Sequence, residues 1–549
     1  MPTISFSLSD LNKLLGKRLD KDKLEKLLPC AKAELEDVEG DDISVSFNDT
    51  NCPYLWSVEG LARLFKGVLN VSTGLYSIKV SKSGFKVVVD RKLSKIRPFI
   101  SCFIAKGKKV DDYLLKQIIQ LQEKLADSFG RRRKKVSIGV YPSKKIEFPV
   151  SYKAVSPSLR FVPLGCHEEL SLAEILKVHP KGKEFAHILE SFSEYPVLMD
   201  SKKNVLSFAP VINSELTGKL DVGDDELFFD ATGTDEDSVY LVANIFAAAL
   251  ADRGFKIESL VMEYPSKRIV SPTLAVRRLK VNSDFVNRVV GSDFGERELK
   301  GLLERMRYGY SKGVVVIPFY RGDIMHPVDI AEDAAISFGY DNFGALSLSS
   351  YTVGKPLPEV HFIDSSRLLW VGLGYQEVLS AILSNKDLLY DKLNVSDFGT
   401  VEIENVMSHT YSCVRSWLLP VLLDVLSKNR HVDYPQRVFE EGLVSVRKGD
   451  SVVDERHLSA VSAHASASFT EIKQAVGFVL AALGVDFVVE EFEMGCFVPG
   501  RAAKIVVGKK QVGFFGEVHP SVLENFGLLV PVVGCEINLS LVLEYKSKK

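Results

Sequence analysis

The sequence has few of the features that mark secreted, metal-caged or membrane-embedded chains. Its 549 residues include seven cysteines, and no two of them lie closer than 22 positions apart. This spacing argues against a C-x-x-C zinc cage and a dense disulfide framework, so we expect reduced thiols in a cytoplasmic protein. The most apolar stretches, such as residues 241–251, are about half of the ~18 residues that a membrane span needs. The first residues also lack the basic leader and apolar core of a secretory signal.

An excess of one charge is also missing from the chain as a whole. The net charge is −2, and 46% hydrophobic with 26% charged residues is typical of a soluble globular protein rather than a disordered one. At this length we expect about three to four domains. The average hides a basic block, because residues 51–150 carry 21 Lys and Arg against 7 Asp and Glu, whereas the remainder has a net charge of −16.

The basic block suggests a surface that meets an anion, although solvated cations on helices and strands would give the same count. Its densest part is the run at 131–135, which follows a predicted helix over residues 111–128. A run of five cations is typical of nucleic-acid contacts. It is equally consistent with a helix C-terminus, where cations oppose the helix dipole. The sequence leaves both interpretations open.

Several common catalytic motifs are absent. The chain has no G-x-x-x-x-G-K-[ST], G-x-S-x-G, H-E-x-x-H or Rossmann fingerprint, and its ten histidines show no metal-ligand spacing. The motifs of P-loop nucleotide hydrolases, serine esterases, zinc proteases and dinucleotide oxidoreductases are therefore missing.

One acidic segment, GDIMHPVDIAEDAAISFGYDN, could hold a metal ion. Pro327 fits the first position of a helix, which places three carboxylates on one face, and a fourth carboxylate precedes the helix. We call this set the carboxylate quartet; it consists of Asp323, Asp329, Glu332 and Asp333. Oxygen ligands without thiols suit Mg²⁺ or Ca²⁺. The alternative is an acidic first turn that is stabilised by the helix dipole.

A second pair of segments, SFAPVINSELTG and FFDATGTDED, places small polar residues on turns beside strands. The side chains that could line one pocket are Ser207, Asn213, Asp230 and Thr232. Turn chemistry alone would also explain these residue types.

Taken in order, five segments resemble the beta subunits of phenylalanyl-tRNA synthetases of the archaeal and eukaryotic type. They are DTNCPYLWSVEGLARLFKG, KEFAHILESFSEYPVLMDSKKNVLSFAPVINSELTG, FFDATGTDED, GDIMHPVDIAEDAAISFGYDN and ENVMSHTYSCVRSWLLPVLLDVLSKN. The resemblance implies an α+β, multi-domain chain. Its four parts would be an N-terminal α+β domain (1–110), a tRNA editing domain (111–268), a winged-helix-like Mg²⁺-binding domain (269–348) and a class II synthetase-like antiparallel-sheet body (349–549).

The resemblance also implies a function. The class II-like body lacks the catalytic motifs, so a separate alpha subunit would bind phenylalanine and ATP and carry out adenylation. The two chains would form a tetramer of two alpha and two beta subunits that charges tRNA(Phe). The carboxylate quartet would bind Mg²⁺. The alternative is a non-catalytic winged-helix scaffold that binds nucleic acid.

The editing domain would hydrolyse tyrosine that is wrongly attached to tRNA(Phe). By the resemblance, its pocket positions are Leu198, Ser207, Asn213, Asp230 and Thr232. We expect Asp230 or Thr232 to bind the phenol and Leu198 to pack against the ring. Ser207 and Asn213 would orient the ester or the attacking water.

Overall fold

The chain forms a mixed α/β structure with several sheets. The computed structural model describes residues 2–547, which divide into two compact units, Met1–Ser347 and Leu348–Lys549. Within residues 2–547, no helix is both long enough and apolar enough to cross a bilayer.

The N-terminal part of the first unit is a small three-stranded sheet with helices. The strand order is β1-β3-β2. Ser57 caps α3 by accepting a hydrogen bond from the Gly60 amide, as its position before an apolar helical pattern predicts. The elements are β1 (Thr3–Ser7), α1 (Leu8–Leu15), α2 (Lys21–Leu27), β2 (Ala33–Glu39), β3 (Asp42–Phe47) and α3 (Val58–Val68).

A ten-stranded sheet dominates the first unit. Nine strands follow the order β12-β11-β10-β7-β4-β14-β5-β13-β6, and β15 pairs with β14. The pairs β4–β14 and β4–β7 are parallel, and the other pairs are antiparallel. The elements are β4 (Val80–Val89), β5 (Phe99–Lys106), α4 (Asp112–Lys124), β6 (Val136–Pro142), β7 (Val150–Val155), β8 (Arg160–Phe161), β9 (Leu170–Ser171), α5 (Leu172–Val178), α6 (Pro180–Phe185), β10 (Tyr195–Met199), β11 (Val205–Phe208), β12 (Ile212–Asn213), β13 (Glu226–Gly233), α7 (Glu236–Asp252), β14 (Lys256–Glu263) and β15 (Arg268–Ser271).

This sheet differs from the predicted domain division at residue 110. Strands β4 and β5 precede that boundary, yet both pair with β14 in the middle of the sheet. Backbone hydrogen bonds between distant segments are not visible in local sequence patterns, so the boundary separated strands that the structure joins. Strand β15 likewise extends past the predicted boundary at 268.

Helix α7 covers one face of the sheet. Its mostly apolar sequence packs on β5 and β13, where alternate side chains such as Phe229 and Ala231 enter the same core cluster. The residues between them, Phe228 and Asp230, point to the opposite face because side chains alternate along a strand. This alternation aims Asp230 away from the α7 core.

The last part of the first unit is a strand, two helices, a hairpin and a closing helix. The strand order is β16-β18-β17. Pro327 occupies the first turn of α10, as predicted, and His326 is its N-cap. The elements are β16 (Arg277–Lys280), α8 (Ser283–Val290), α9 (Glu296–Arg305), β17 (Gly309–Ser311), β18 (Val314–Ile317) and α10 (Pro327–Phe338).

The second unit is built on a seven-stranded sheet of order β19-β23-β24-β28-β27-β26-β25, in which all pairs but β19–β23 are antiparallel. A short three-stranded sheet, β20-β22-β21, accompanies it. The elements are α11 (Pro358–Gly372), β19 (Gln376–Glu377), β20 (Leu383–Ser384), α12 (Lys386–Leu389), β21 (Val401–Glu402), β22 (Cys413–Val414), α13 (Leu419–Lys428), β23 (Gln436–Lys448), β24 (Ser451–Ala463), α14 (Phe469–Ala482), β25 (Val488–Glu491), β26 (Phe497–Val507), β27 (Lys510–Val518), α15 (Pro520–Asn525), β28 (Val532–Asn538) and α16 (Leu539–Ser547).

Candidate functional site

A cavity of about 350 Å³ lies in the ten-stranded sheet unit, lined by residues of α4, β6, β11, β12 and β13. Three of the predicted pocket residues, Ser207, Asn213 and Asp230, line it. Ser207 and Asn213 face each other on the consecutive strands β11 and β12, whereas Asp230 lies on β13, where it pairs with Gly139. The sheet therefore gathers these polar side chains into one cavity.

Asp230 is the acidic group at the floor of the cavity. Its side chain is almost completely buried, and the Tyr141 hydroxyl donates a hydrogen bond to it. Burial raises the pKa of Asp230 to about 7, although the Tyr141 hydrogen bond and the Arg97 charge oppose this shift. Near neutral pH the carboxyl group can thus either donate or accept a hydrogen bond.

Ser207 and Asn213 present further polar groups to the cavity. The Ser207 Oγ atom is buried and has no hydrogen-bond partner of ordinary geometry within residues 2–547, although it lies close enough to Tyr141 to lower the pKa of that phenol against the larger effect of burial. Asn213 Nδ2 donates to the Gly218 carbonyl over 3.3 Å. A buried polar atom without a partner costs about 1–3 kcal/mol. Ser207 is therefore a group that a ligand can satisfy.

Leu198 does not line the cavity, contrary to expectation. It lies directly opposite Ser207 in the β10–β11 ladder, but it is fully buried in a cluster with Tyr141 and Tyr152. It packs beneath the cavity wall. The resemblance suggested a contact with the ring, and the role of Leu198 in binding stays a prediction.

Thr232 also lies outside the cavity lining. Its hydroxyl accepts a hydrogen bond from Arg97 Nε at 3.0 Å and lies 3.0 Å from Ser137 Oγ. Arg97 is fully buried, and burial lowers its pKa to about 10. The expected ligand contact is thus replaced by an internal network that supports the strand carrying Asp230.

Sequence reasoning missed several residues of the cavity. Tyr141 has a hydroxyl on Asp230, and a Cβ atom on Gly139 would overlap both of these groups. Arg133 and His179 also line the cavity. The alternation of β6 could have indicated that Gly139 and Tyr141 share a face, whereas the position of Arg133 depends on distant loops.

The rest of the lining combines apolar walls with a cationic rim. Besides Asp230, Glu123 is the carboxylate in the lining, and the cations are Arg133, Lys181 and Lys219. The apolar side chains are Leu115, Ile118, Ile119, Ile138, Val140, Leu164, Phe208, Ala209, Val211, Ile212 and Leu220. This arrangement suits a ligand with an apolar ring, a hydroxyl group and an attached anionic portion.

The carboxylate quartet is not gathered around one point. Asp323 and Asp333 are both buried and both pair with Arg321, whose Nη1 lies 2.5 Å from Asp333 Oδ2. The Arg321 guanidinium also sits over the Tyr54 ring at 5.1 Å. Opposite charges in contact offset the cost of burial.

The other two carboxylates of the quartet have separate roles. Asp329 accepts the Met325 and His326 amides at 2.7 and 2.8 Å and so closes the start of α10. Glu332 is half exposed and lies 3.1 Å from Lys32 Nζ.

The predicted Mg²⁺ ion does not fit this arrangement. Within residues 2–547, no group of three or more His, Cys, Asp or Glu side chains could hold a metal ion. The physical reason is that Arg321 supplies positive charge where the ion was expected, and backbone amides and Lys32 engage the remaining carboxylates. This arrangement argues against Mg²⁺ in the place of Arg321, and addition of the ion tests it.

The seven-stranded sheet of the second unit carries charged groups that pair with one another. Arg415 Nη1 lies 2.5 Å from Glu440 Oε1, and both side chains are buried. Glu536 accepts the Leu418 and Leu419 amides at the start of α13 and lies 2.7 Å from His457 Nδ1. These side chains serve internal contacts.

Comparisons with known proteins agree with these features. Residues 279–340 match the tRNA synthetase B5 domain, and residues 346–539 match the phenylalanyl tRNA synthetase beta chain CLM domain. The phenylalanine–tRNA ligase beta subunits of Pyrococcus abyssi and Pyrococcus furiosus are each 40% identical to this chain, covering 98% of it and 99% of their own length.

A solved structure supports the same relation. An N-terminal fragment of the phenylalanyl-tRNA synthetase beta-subunit from Pyrococcus horikoshii is 41% identical, with a TM-score of 0.60, and covers 62% of this chain and all of the fragment. With this identity over nearly the full length, the chain belongs to the family of phenylalanine–tRNA ligase beta subunits.

Proposed function

We propose that the cavity hydrolyses tyrosine that is wrongly attached to tRNA(Phe). The observation that carries the proposal is the floor of the cavity, where buried Asp230 bonds to Tyr141 beneath apolar walls. The walls accept an aromatic ring, and Asp230 offers a hydrogen bond that tyrosine can make and phenylalanine cannot.

Selection of tyrosine follows from the cost of unpaired polar groups. A binding site made for an apolar ring rejects an added hydroxyl by only about 10²-fold, so charging needs a second check. In the cavity, phenylalanine would leave Asp230 without a partner on the ligand side, at about 1–3 kcal/mol, or roughly ten- to hundredfold. The cavity thus favours the ligand that the charging site should reject.

The reaction is the addition of water to the ester carbonyl, with release of tyrosine and the free 3′ hydroxyl of the tRNA. Among the residues that the structure describes, buried Ser207 Oγ has no hydrogen-bond partner of ordinary geometry, and Asn213 lies opposite Ser207 in the ladder. These two side chains would orient the ester or the water. No residue is assigned as a general base.

We further propose that adenylation belongs to a separate alpha subunit, which binds phenylalanine and ATP, and that two copies of each chain assemble with tRNA(Phe). Family membership supports a partner chain. The internal pairing of Arg415 with Glu440 also supports this division, because these two buried charges engage each other.

The editing proposal is tested by changing Asp230 in the assembled enzyme. Asp230→Ala should lower the rate of tyrosyl-tRNA(Phe) hydrolysis about ten- to hundredfold, because the phenol loses its partner, while charging with phenylalanine continues. Asp200→Ala is a matched control, because Asp200 is a buried carboxylate directly after β10 of the same sheet, outside the cavity lining. Unchanged hydrolysis by Asp230→Ala would remove Asp230 from the site.

The assignment of adenylation is tested separately. The chain expressed with its genomic neighbours should co-purify with a second chain of synthetase type, and the isolated chain should form no phenylalanyl-adenylate. Adenylate formation by the isolated chain would overturn this part of the proposal.

A further inference from the structure

We propose that the basic run Arg131–Lys134, of which Arg133 lines the cavity, binds the sugar-phosphate backbone of the RNA strand whose 3′ end enters it. The inference rests on the proposed editing function and assigns the residues that hold its substrate. The sequence left two interpretations of this run open, contacts with a nucleic acid and cations that oppose the dipole of a helix C-terminus.

At the helix C-terminus of the second interpretation, backbone amides rather than arginine side chains satisfy the last carbonyls. The carbonyls of Ala126 and Asp127 accept the backbone amides of Arg133 and Arg132 at 2.9 and 2.8 Å. Gly130 likewise donates its amide to the Leu125 carbonyl at 2.7 Å. Because backbone amides satisfy these carbonyls, the arginine side chains are not needed for capping.

The backbone of the run has an unusual conformation. Arg131, Arg132 and Arg133 all have positive φ angles, of 50°, 50° and 63°. Left-handed conformation costs about 1–2 kcal/mol for each residue that is not glycine, so such a run persists when its surroundings hold it in place. The conformation therefore indicates a fixed display of side chains rather than a frayed helix end.

Contacts from two directions hold the run against the cavity. Arg133 lines the cavity, donates to the Pro210 and Val211 carbonyls at 3.2 and 2.9 Å, and stacks 4.2 Å from the centre of the Phe185 ring. Buried Arg97 donates to the Lys134 carbonyl at 3.2 Å. The run is thus anchored to the same network that supports the Asp230 strand.

The remaining side chains of the run are free to meet an anion. Arg131, Arg132 and Lys134 are exposed, and none of the three forms an ion pair with a carboxylate of residues 2–547. Lys181 and Lys219, elsewhere on the rim, are balanced by Glu184 and Glu215. The unbalanced charge beside the cavity therefore comes from the run, and phosphates of an RNA 3′ end would lie against it if the terminal ester reaches Asp230.

The test compares two substrates in the assembled enzyme. One is tyrosyl-tRNA(Phe), and the other is 3′-O-tyrosyl-adenosine, which has the ester but no phosphate. The variant is Arg131→Asn with Arg132→Asn, because asparagine tolerates the left-handed conformation. The control is Lys17→Asn with Arg18→Asn, which removes the same charge from two exposed residues distant in sequence from the cavity.

We expect the Arg131/Arg132 variant to raise KM for tyrosyl-tRNA about tenfold with little change in kcat. The slope of log K for binding against log salt concentration should become shallower by about 1.4, which is about 0.7 for each of two lost phosphate contacts. Hydrolysis of tyrosyl-adenosine should not change. The double variant Arg131→Lys with Arg132→Lys, which keeps both charges, should have a KM close to that of the wild type. The Lys17/Arg18 variant should behave as the wild type.

Several outcomes would overturn the proposal. An unchanged KM for tyrosyl-tRNA, an equal effect of the control pair, or an equal loss with tyrosyl-adenosine would each do so. Loss of the partner chain on purification would instead assign the run to a protein interface. If the wild type hydrolyses neither substrate, the editing proposal fails; binding of uncharged tRNA(Phe) to the same variants then decides the role of the run by itself.

Discussion

Two groups of buried carboxylates in the first unit differ in what balances their charge. Asp230 has a phenol as its hydrogen-bond partner and no ion pair within residues 2–547, and its pKa is raised to about 7. Asp323 and Asp333 share the Arg321 guanidinium. Both groups look alike in sequence, as acidic residues near turns and helix starts. The comparison shows that the partner decides: an unbalanced carboxylate remains available to a ligand, whereas a balanced one holds the fold together.

The largest expected effect is the loss of the shared cation. Arg321→Met should destabilise the protein by about 3–5 kcal/mol, because it leaves two buried carboxylates without a counter-charge. The loss of stability is measured from the urea midpoint of the unfolding transition that includes α10, and hydrogen exchange identifies that transition. Arg278→Met, on the exposed face of neighbouring β16, is the control and should change stability by about 0.5 kcal/mol or less. A loss below about 1 kcal/mol for Arg321→Met would contradict the assignment.

The second effect concerns Asp230 and depends on pH. Because its folded pKa is raised from 3.8 to about 7, the folded state holds a proton that the unfolded state has lost between these values. The wild type is therefore penalised as pH rises from about 4 to 7, by up to about 4 kcal/mol above pH 7. Asp230→Asn removes the penalty, so its stability relative to the wild type should increase over this range and then level off.

The Tyr141→Phe variant sharpens the same measurement. The Tyr141 hydrogen bond lowers the pKa of Asp230, so its removal should move the pH window upward. Urea unfolding of the three proteins between pH 4 and 8 provides the comparison. If the difference in unfolding free energy between wild type and Asp230→Asn stays constant with pH, the pKa of Asp230 in the folded state is that of an ordinary carboxyl group, and the prediction is wrong.

How much of this could be read from the sequence depends on the range of the interactions. The start of α10 at Pro327 and the Ser57 cap follow from local rules, and the structure confirms both. Ser207, Asn213 and Asp230 were predicted to share a pocket, and they do. Thr232 was predicted to join them, but its hydroxyl bonds to Arg97, a partner distant in sequence, and it lies outside the cavity lining.

The carboxylate quartet failed as a cluster for a similar reason. Helical spacing places Asp329, Glu332 and Asp333 on one face, but spacing does not reveal that Arg321 turns back towards the helix. Nor does it show that Lys32, in the N-terminal part, reaches Glu332. The helical spacing was predicted correctly, but two cations outside the helix, Arg321 and Lys32, pair with these carboxylates.

A smaller effect comes from a carboxylate whose cation can lose its charge. In the second unit, His457 lies between Glu455 and Glu536, and these partners raise its pKa to about 9 against the opposing effect of burial. The stabilisation is fully present below the unfolded pKa of about 6.5 and is lost as pH rises through 9. His457→Gln should therefore cost up to about 3 kcal/mol at pH 6 and much less at pH 9.5.

The measurement is the difference in urea midpoint between wild type and His457→Gln at the two pH values. The control is His431→Gln, at an exposed histidine of the same unit. Equal losses at pH 6 and 9.5 would show that His457 contributes packing rather than charge. If the loss is smaller at pH 9.5, as expected, Glu455 and Glu536 are intermediate cases, balanced by a cation that titrates, between the carboxylates paired with the permanently charged Arg321 and unbalanced Asp230.

The smallest expected effect is that of Mg²⁺ on the carboxylate quartet. A bound ion stabilises the folded state by about 1.4 kcal/mol for each tenfold excess over its Kd, so addition of 5 mM Mg²⁺ after EDTA would reveal a site by a shift in the urea midpoint. We expect almost no shift, because an ion at Asp323 and Asp333 would have to displace Arg321, and the displaced guanidinium would be left buried without a partner. In Arg321→Met that obstacle is gone, so Mg²⁺ should recover part of the lost stability. An equal gain in stability in wild type and variant would mean that Mg²⁺ binds beside Arg321 rather than in its place. Asp323 and Asp333 would then be balanced by two cations, Arg321 and Mg²⁺, whereas Asp230 has none within residues 2–547.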